Sequence, residues 1–169
     1  MLGVNSRRVK KLVRKLSGLS CLEDLTIDQR RAMWPPAKAL TDRHIRNCRL
    51  VANRDVMLEH MPKNAECAEV GIWQCGYSKK IVGATQPAML HLIDIDPAAI
   101  NCANGVFSQE IANGTVAAHL GDSATLVASM PDEYFDWIYI DGDHSYEGAK
   151  RDLAAALPKL KPEGLMAMN

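Results

Sequence analysis

Residues 66–97 read ECAEVGIWQCGYSKKIVGATQPAMLHLIDIDP, and this stretch decides the fold. Two short apolar runs, 67–72 and 89–95, have the length of strands and not of buried helices. Between them a glycine-bearing loop leads into a helical stretch at 78–84, which makes a parallel strand–helix–strand crossover. Outward from it the alternation continues. Further strands are expected at 116–120, 137–140 and 165–168, and further helices at 97–107, 124–130 and 146–157. Asp96 is read as an N-cap with Pro97 at the first helical position, and Ser145 as the N-cap before Tyr146. On the last helix Tyr146, Ala149, Leu153, Ala156 and Leu160 share one apolar face. The expected class is α/β, a Rossmann-like three-layer sandwich whose parallel sheet is covered on both sides.

The composition agrees with one folded domain. The chain has 169 residues, 47% of them hydrophobic, with 20 Lys+Arg against 20 Asp+Glu, which excludes a disordered chain. No apolar run approaches the roughly 18–20 residues of a membrane span, and the start, MLGVNSRRVKKLVRKL, lacks the apolar stretch of a secretory signal. Five cysteines without a Cys-x-x-Cys pair fit reduced thiols and a cytoplasmic location, and disfavour zinc. Met33, Met57, Met61, Met89, Met130, Met166 and Met168 read as core filler.

The zero net charge conceals two unlike segments. Residues 1–60, a basic helical N-terminal extension, carry 13 basic and 6 acidic side chains; residues 61–169, the sheet domain, carry 7 and 14. Within the extension, 6–16 forms a basic amphipathic helix with Val9, Leu12, Val13 and Leu16 on its stripe. It packs on its own protein or makes peripheral contact with an anionic membrane. Trp34-Pro35-Pro36 marks a joint, and a second helix is expected from Thr41 to about residue 60, with Ile45, Cys48, Val51, Ala52, Leu58 and Met61 on its stripe. No nucleic-acid partner is expected from a chain without net positive charge.

In an open parallel sheet, ligands bind outside the carboxyl ends of the strands. Those ends here carry Glu69-Val70-Gly71, Asp94, Gly121-Asp122-Ser123 and Asp141-Gly142-Asp143-His144. A pyrophosphate would want glycine backbone and a helix N-terminus, not a ring of acids. S-adenosylmethionine offers an ammonium, a sulfonium, a ribose diol and an adenine amine, all of which suit carboxylates. The first loop, 69–78, is not Gly-x-Gly-x-x-Gly, although Asp94, 23 residues beyond Gly71, also has the spacing of a ribose-binding acid in an NAD enzyme.

The segments EVGIWQCGYS (69–78), LHLIDIDP (90–97), GDS (121–123) and YIDGDHSYEGAKRDL (139–153) resemble class I S-adenosylmethionine-dependent methyltransferases. The branch with the Asp-Gly-Asp-His-Ser-Tyr loop, found among sugar and natural-product O-methyltransferases, is the most similar. The resemblance covers about residues 65–169. It implies that Glu69 and Gly71 shape the methionine end of the cofactor site, with Ser78 at the following helix N-terminus. Asp94 would hold the ribose, and Asp122 and Ser123 would face the adenine. Asp141 would lie under the sulfonium and, in metal-dependent relatives, would ligate magnesium. His144 would stand near a small hydroxylated acceptor as its base. Trp73 is counted with the cofactor contacts, with packing as the other reading for it and for Tyr77.

Other readings stay open. Asp143 braces its loop or caps a helix, and His144 is an exposed loop histidine if it is not the base. Relatives continue beyond the fifth strand with an acidic pair and two more strands. The chain is therefore expected to be part of a longer protein or a shortened form whose open sheet edge favours self-association. The competing functions are a non-catalytic cofactor-binding module attached to a partner through its basic helix, and an NAD-dependent enzyme.

Overall fold

The computed structural model describes residues 41–46 and 49–168. The basic 6–16 helix, the 34–36 joint and Met33 lie outside the described residues. The chain divides into two compact units, Met1–Arg49 and Leu50–Asn169. In the first, α1 (Asp42–Ile45) is one helical turn. The second contains α2 (Arg54–Glu59), β1 (Glu66–Val70), α3 (Gly76–Thr85), β2 (Met89–Asp94), α4 (Pro97–Val106), α5 (Ser108–Ala112), β3 (Val116–Leu120), α6 (Ser123–Ala128), β4 (Phe135–Ile140), α7 (Tyr146–Ala156), a 3-10 turn (Leu157–Lys159) and β5 (Leu160–Met168).

The five strands form one parallel sheet in the order β3-β2-β1-β4-β5. The order reverses between β1 and β4, which opens a crevice at their carboxyl ends. β1, β2 and β4 are buried along almost their whole length, as strands covered on both faces must be. One face carries Cys67, Leu92, Trp137 and Tyr139 against Ile81 of α3 and Ile100 of α4. The other carries Ala68, Val70, Ile93 and Ile138 against Val127 of α6 and Ala156 of α7. Each large aliphatic side chain in these layers contributes about 1.5–3 kcal/mol relative to exposure. This is the Rossmann-like α/β sandwich expected from the alternation.

Three local readings need correction. The helix expected over 41–60 is broken. Asn53 is extended (φ −166°, ψ 174°), and its side chain accepts from the Asp55 and Val56 amides, so a new helix starts there. That helix, α2, packs against α3. The helix expected at 97–107 is present as α4, and the short α5 follows it after Phe107. On α7 the apolar face proposed from the sequence does not all point inward. Asp152 and Ala156 are buried, whereas Tyr146 and Leu153 are exposed. Met168, read as core filler, is also exposed, while Met57, Met61, Met130 and Met166 pack against the two cores. The two caps read from the sequence are present. Asp96 accepts from the Ala98 amide and Ser145 from the Gly148 amide.

Candidate active site

A cavity of about 920 Å³ opens at the carboxyl edge of the sheet, lined by the ends of β1, β2 and β4, the start of α6 and one side of α2 and α7. Gly71 makes the loop after β1 possible. Its φ is +83°, and an added Cβ would overlap the carbonyl of Asp141 on the loop after β4. Only glycine allows both the left-handed backbone and that approach. The Gly71 amide donates to the Ile93 carbonyl at 2.8 Å, which ties the loop to β2. Asp94 then organises the turn. Its Oδ2 accepts from the Ile72 and Trp73 amides at 2.8 and 3.2 Å, and its Oδ1 from the Asp96 amide at 2.8 Å. Trp73, held at a φ of +43°, is 78% exposed at the cavity wall.

Asp141, at the end of β4, gathers charge from three elements. Arg54 Nη1 of α2 donates to its Oδ2 at 3.2 Å, the Tyr139 hydroxyl donates to the same oxygen at 3.4 Å, and His144 Nε2 lies 3.1 Å from Oδ1. A carboxylate at Nε2 selects the tautomer with its proton there, which leaves the Nδ1 lone pair to accept a proton. Glu69 is 1% exposed, and its Oε2 has no hydrogen-bond partner. Burial pushes its carboxyl up to about 8. The Asp141 and Asp94 charges act in the same direction, and the Ser78 hydroxyl and Arg54 oppose them.

At the other end of the cavity Asp122 caps α6. Its Oδ1 accepts from the Thr125 amide and hydroxyl at 3.0 and 2.7 Å, and Arg151 Nη2 reaches both of its oxygens at 2.9 and 3.0 Å. These bonds, Thr125 first, hold the carboxyl below its usual range. Ser123 Oγ donates to Asp152 Oδ1 at 2.6 Å. Asp143 accepts from the Ser145 amide and hydroxyl, which is the loop brace that its position allowed.

Of the residues selected from the sequence, Glu69, Gly71, Trp73, Asp94, Asp122, Ser123 and Asp141 line this one cavity. Ser78 is buried in α3 behind its wall, and His144 stands outside the lining, joined to it through Asp141. Arg54, Arg151 and Asp152 also line the cavity, and the sequence reading missed them. Asp152 had a faint signal as an acid one turn from Ala149 and Ala156. Arg54 had none, because nothing in its spacing connects α2 to the end of β4. Among the described residues no group of three or more His, Cys, Asp or Glu side chains is placed to hold a metal ion. The magnesium expectation at Asp141 finds no support there, and the neighbours of that carboxylate include a guanidinium and an imidazole.

A parallel sheet in this order, with a glycine loop and acids at successive strand ends around a crevice, defines a class I methyltransferase-type domain. Residues 68–169 match the family model described as a methyltransferase domain, and the chain belongs to that methyltransferase family. No curated protein matches the sequence. Similar solved structures include precorrin 8w decarboxylase of Methanobacterium thermoautotrophicum, at 21% identity and TM-score 0.55, covering 72% of this chain and 63% of that one. Precorrin-6y C5,15-methyltransferase of Geobacter metallireducens shares 13% identity at TM-score 0.56, with 68% and 58% coverage. An rRNA methylase of Streptococcus thermophilus shares 10% at TM-score 0.55, with 78% and 72% coverage. At these identities the likeness is one of fold, and the chain spans less than two thirds of the first two proteins.

Proposed function

We propose that this chain is an S-adenosylmethionine-dependent methyltransferase acting on a hydroxyl of a small, sugar-like or otherwise hydroxylated acceptor. The observation that carries this reading is the His144–Asp141 pair at 3.1 Å beside an acid-lined cavity with one orphaned buried carboxyl oxygen, on Glu69. The residues fit the cofactor, whose ammonium matches Glu69 and whose ribose diol matches Asp94. When bound, S-adenosylmethionine supplies an electrophilic methyl on a sulfonium. Asp141 favours the positive end of that ligand, Glu69 offers its ammonium a buried carboxyl oxygen without a partner, and Asp94 accepts from the ribose. Asp122 and Ser123 border the adenine. His144 Nδ1 takes the acceptor's hydroxyl proton while Asp141 stabilises the imidazolium, a contribution of about 10²–10⁴-fold for a placed base. Free thiols at Cys67, Cys75 and Cys102 favour a reducing compartment such as the cytoplasm. Among the described residues no helix is long and apolar enough to cross a membrane.

Calorimetric titration of the full chain with S-adenosylmethionine, S-adenosylhomocysteine and NAD tests the reading, followed by methyl transfer to a panel of hydroxylated acceptors with and without magnesium. The first two ligands are expected to bind and NAD is not. Asp94→Ala should weaken binding by about 100-fold, because it removes the ribose acceptor and the anchor of three backbone amides. Binding of NAD alone would overturn the proposal. Cofactor binding with no turnover of any acceptor would favour the non-catalytic module.

A further inference from the structure

We infer that Tyr139, which lies outside the cavity lining, is the positioning residue of the His144–Asp141 pair: its buried hydroxyl holds the Asp141 carboxylate with Oδ1 turned to the imidazole. This rests on the methyltransferase reading above and extends it to a residue behind the cavity wall.

β4 closes on Tyr139-Ile140 and is followed at once by Asp141. Side chains two positions apart on a strand share a face, so the phenol and the carboxylate fall on the same side of the sheet. Ile140 between them turns to the opposite core. Tyr139 is 1% exposed, and its ring lies 4.7 Å from that of Tyr77. Phenylalanine would fill this place as well, and burying a hydroxyl is unfavourable unless it is hydrogen-bonded. Here the hydroxyl donates to Asp141 Oδ2 at 3.4 Å and accepts from Arg54 Nη1 at 3.5 Å. It thus stands between the guanidinium and the carboxylate. Burial raises the phenol above its ordinary value, so it keeps its proton and remains a donor.

Asp141 needs such a support. Its amide donates to the Val70 carbonyl at 2.8 Å, which fixes the main chain and leaves the carboxylate free to turn. Among the described residues His144 meets Oδ1, while Arg54 and Tyr139 meet Oδ2. The Arg54 contact is the shorter of those two, at 3.2 Å, but that side chain is long and 48% exposed. His144 is exposed as well. The phenol alone has its rotamer locked by the core, and a site is held in register by groups of that kind.

Tyr139→Phe keeps the ring and removes only the hydroxyl. Steady-state kinetics on the full chain test the assignment, with S-adenosylmethionine and a panel of methyl glycosides and catechols, in the wild-type and His144→Ala backgrounds. Transfer of a labelled methyl group reads the residual rates. In the wild-type background kcat should fall about 10-fold, with the KM for S-adenosylmethionine and the affinity for S-adenosylhomocysteine kept within about twofold. In the His144→Ala background the same change should alter kcat by less than about twofold, because the hydroxyl acts through the imidazole alone. An equal loss in both backgrounds, or kcat kept in the first, overturns the role of Tyr139 alone. So does a Tyr139→Phe chain that fails to fold or to bind S-adenosylhomocysteine, since the hydroxyl is then structural. A wild type that methylates no acceptor overturns the methyltransferase reading together with it.

Discussion

Glu69 of β1 and His91 of β2 lie on adjacent, paired strands, both almost fully buried, but on opposite faces of the sheet. Burial drives both towards neutrality. It raises the glutamic acid to about 8, and it lowers the histidine to about 4, with the neighbouring His119 acting in the same direction. They differ in their partners. His91 Nδ1 meets His119 Nε2 at 2.9 Å and its Nε2 meets the Tyr134 hydroxyl at 3.2 Å, while Tyr134 and Phe135 pack edge-on against the ring. Glu69 faces the cavity with one oxygen unpaired. A satisfied buried polar group stabilises the fold, whereas an unsatisfied one beside a cavity is placed for a ligand. The lack of a partner is not sufficient by itself, since Trp137 Nε1 is buried, unpaired and away from the cavity.

His144 supplies the third case and the largest expected effect. One of its nitrogens is engaged by Asp141, and its side chain is 62% exposed. His144→Ala should lower kcat by about 10²–10⁴-fold and leave the affinity for S-adenosylhomocysteine and the unfolding midpoint nearly unchanged. Steady-state kinetics beside calorimetry would show this, and unchanged kcat would return His144 to an ordinary loop residue. His91→Ala should do the reverse. It empties a packed site and strands His119 and Tyr134, at a cost of about 2–4 kcal/mol in stability, with kcat and cofactor affinity kept at a permissive temperature.

The same contrast has a signature in pH. His91 binds protons more readily unfolded, so its contribution is complete above its ordinary value of 6.5 and is lost as the pH falls from there towards about 4. Glu69 has the opposite sign. It holds its proton more tightly when folded, so its contribution is complete below its ordinary value of 4.5 and is lost as the pH rises through about 8. Each slope is at most about 1.4 kcal/mol per pH unit. The two oppose one another between about 4.5 and 6.5, and only the Glu69 decline remains from there to about 8. Glu69→Gln should abolish that decline and uncover the rise due to His91, as read from urea midpoints at a series of pH values. Parallel profiles for the wild type and the variant above pH 6.5 would break the comparison.

The sheet was legible because strand content, crossover length and caps are local. β3 falls at 116–120 as expected from its apolar run, and Asp96 and Ser145 announce their helices by residue type alone. The acids of the cavity were legible for a related reason, since topology sends the carboxyl ends of parallel strands to one edge. What eluded the sequence is what depends on distant approach. Arg54 reaches Asp141 across 87 positions, and Arg151 reaches Asp122 across 29. The orientation of α7 was missed because a buried Asp152, tied to Ser123, replaces the apolar residue that periodicity looks for.

Asp94 and Asp96 offer the finest version of the comparison, two carboxylates two positions apart that both border the cavity. Asp94 accepts three backbone amides from two segments and fixes the loop that faces the ligand. Asp96 accepts one local amide, that of Ala98, as the cap of α4. A cap of this kind contributes about 1 kcal/mol, and the loss falls on the helix it starts. Asp96→Ala should therefore lower stability by about that much and change cofactor affinity less than threefold, a small effect resolvable by denaturant midpoints beside calorimetry. A loss of affinity above tenfold would make Asp96 a ligand-binding carboxylate, and a local partner would then no longer distinguish a structural acid from a functional one.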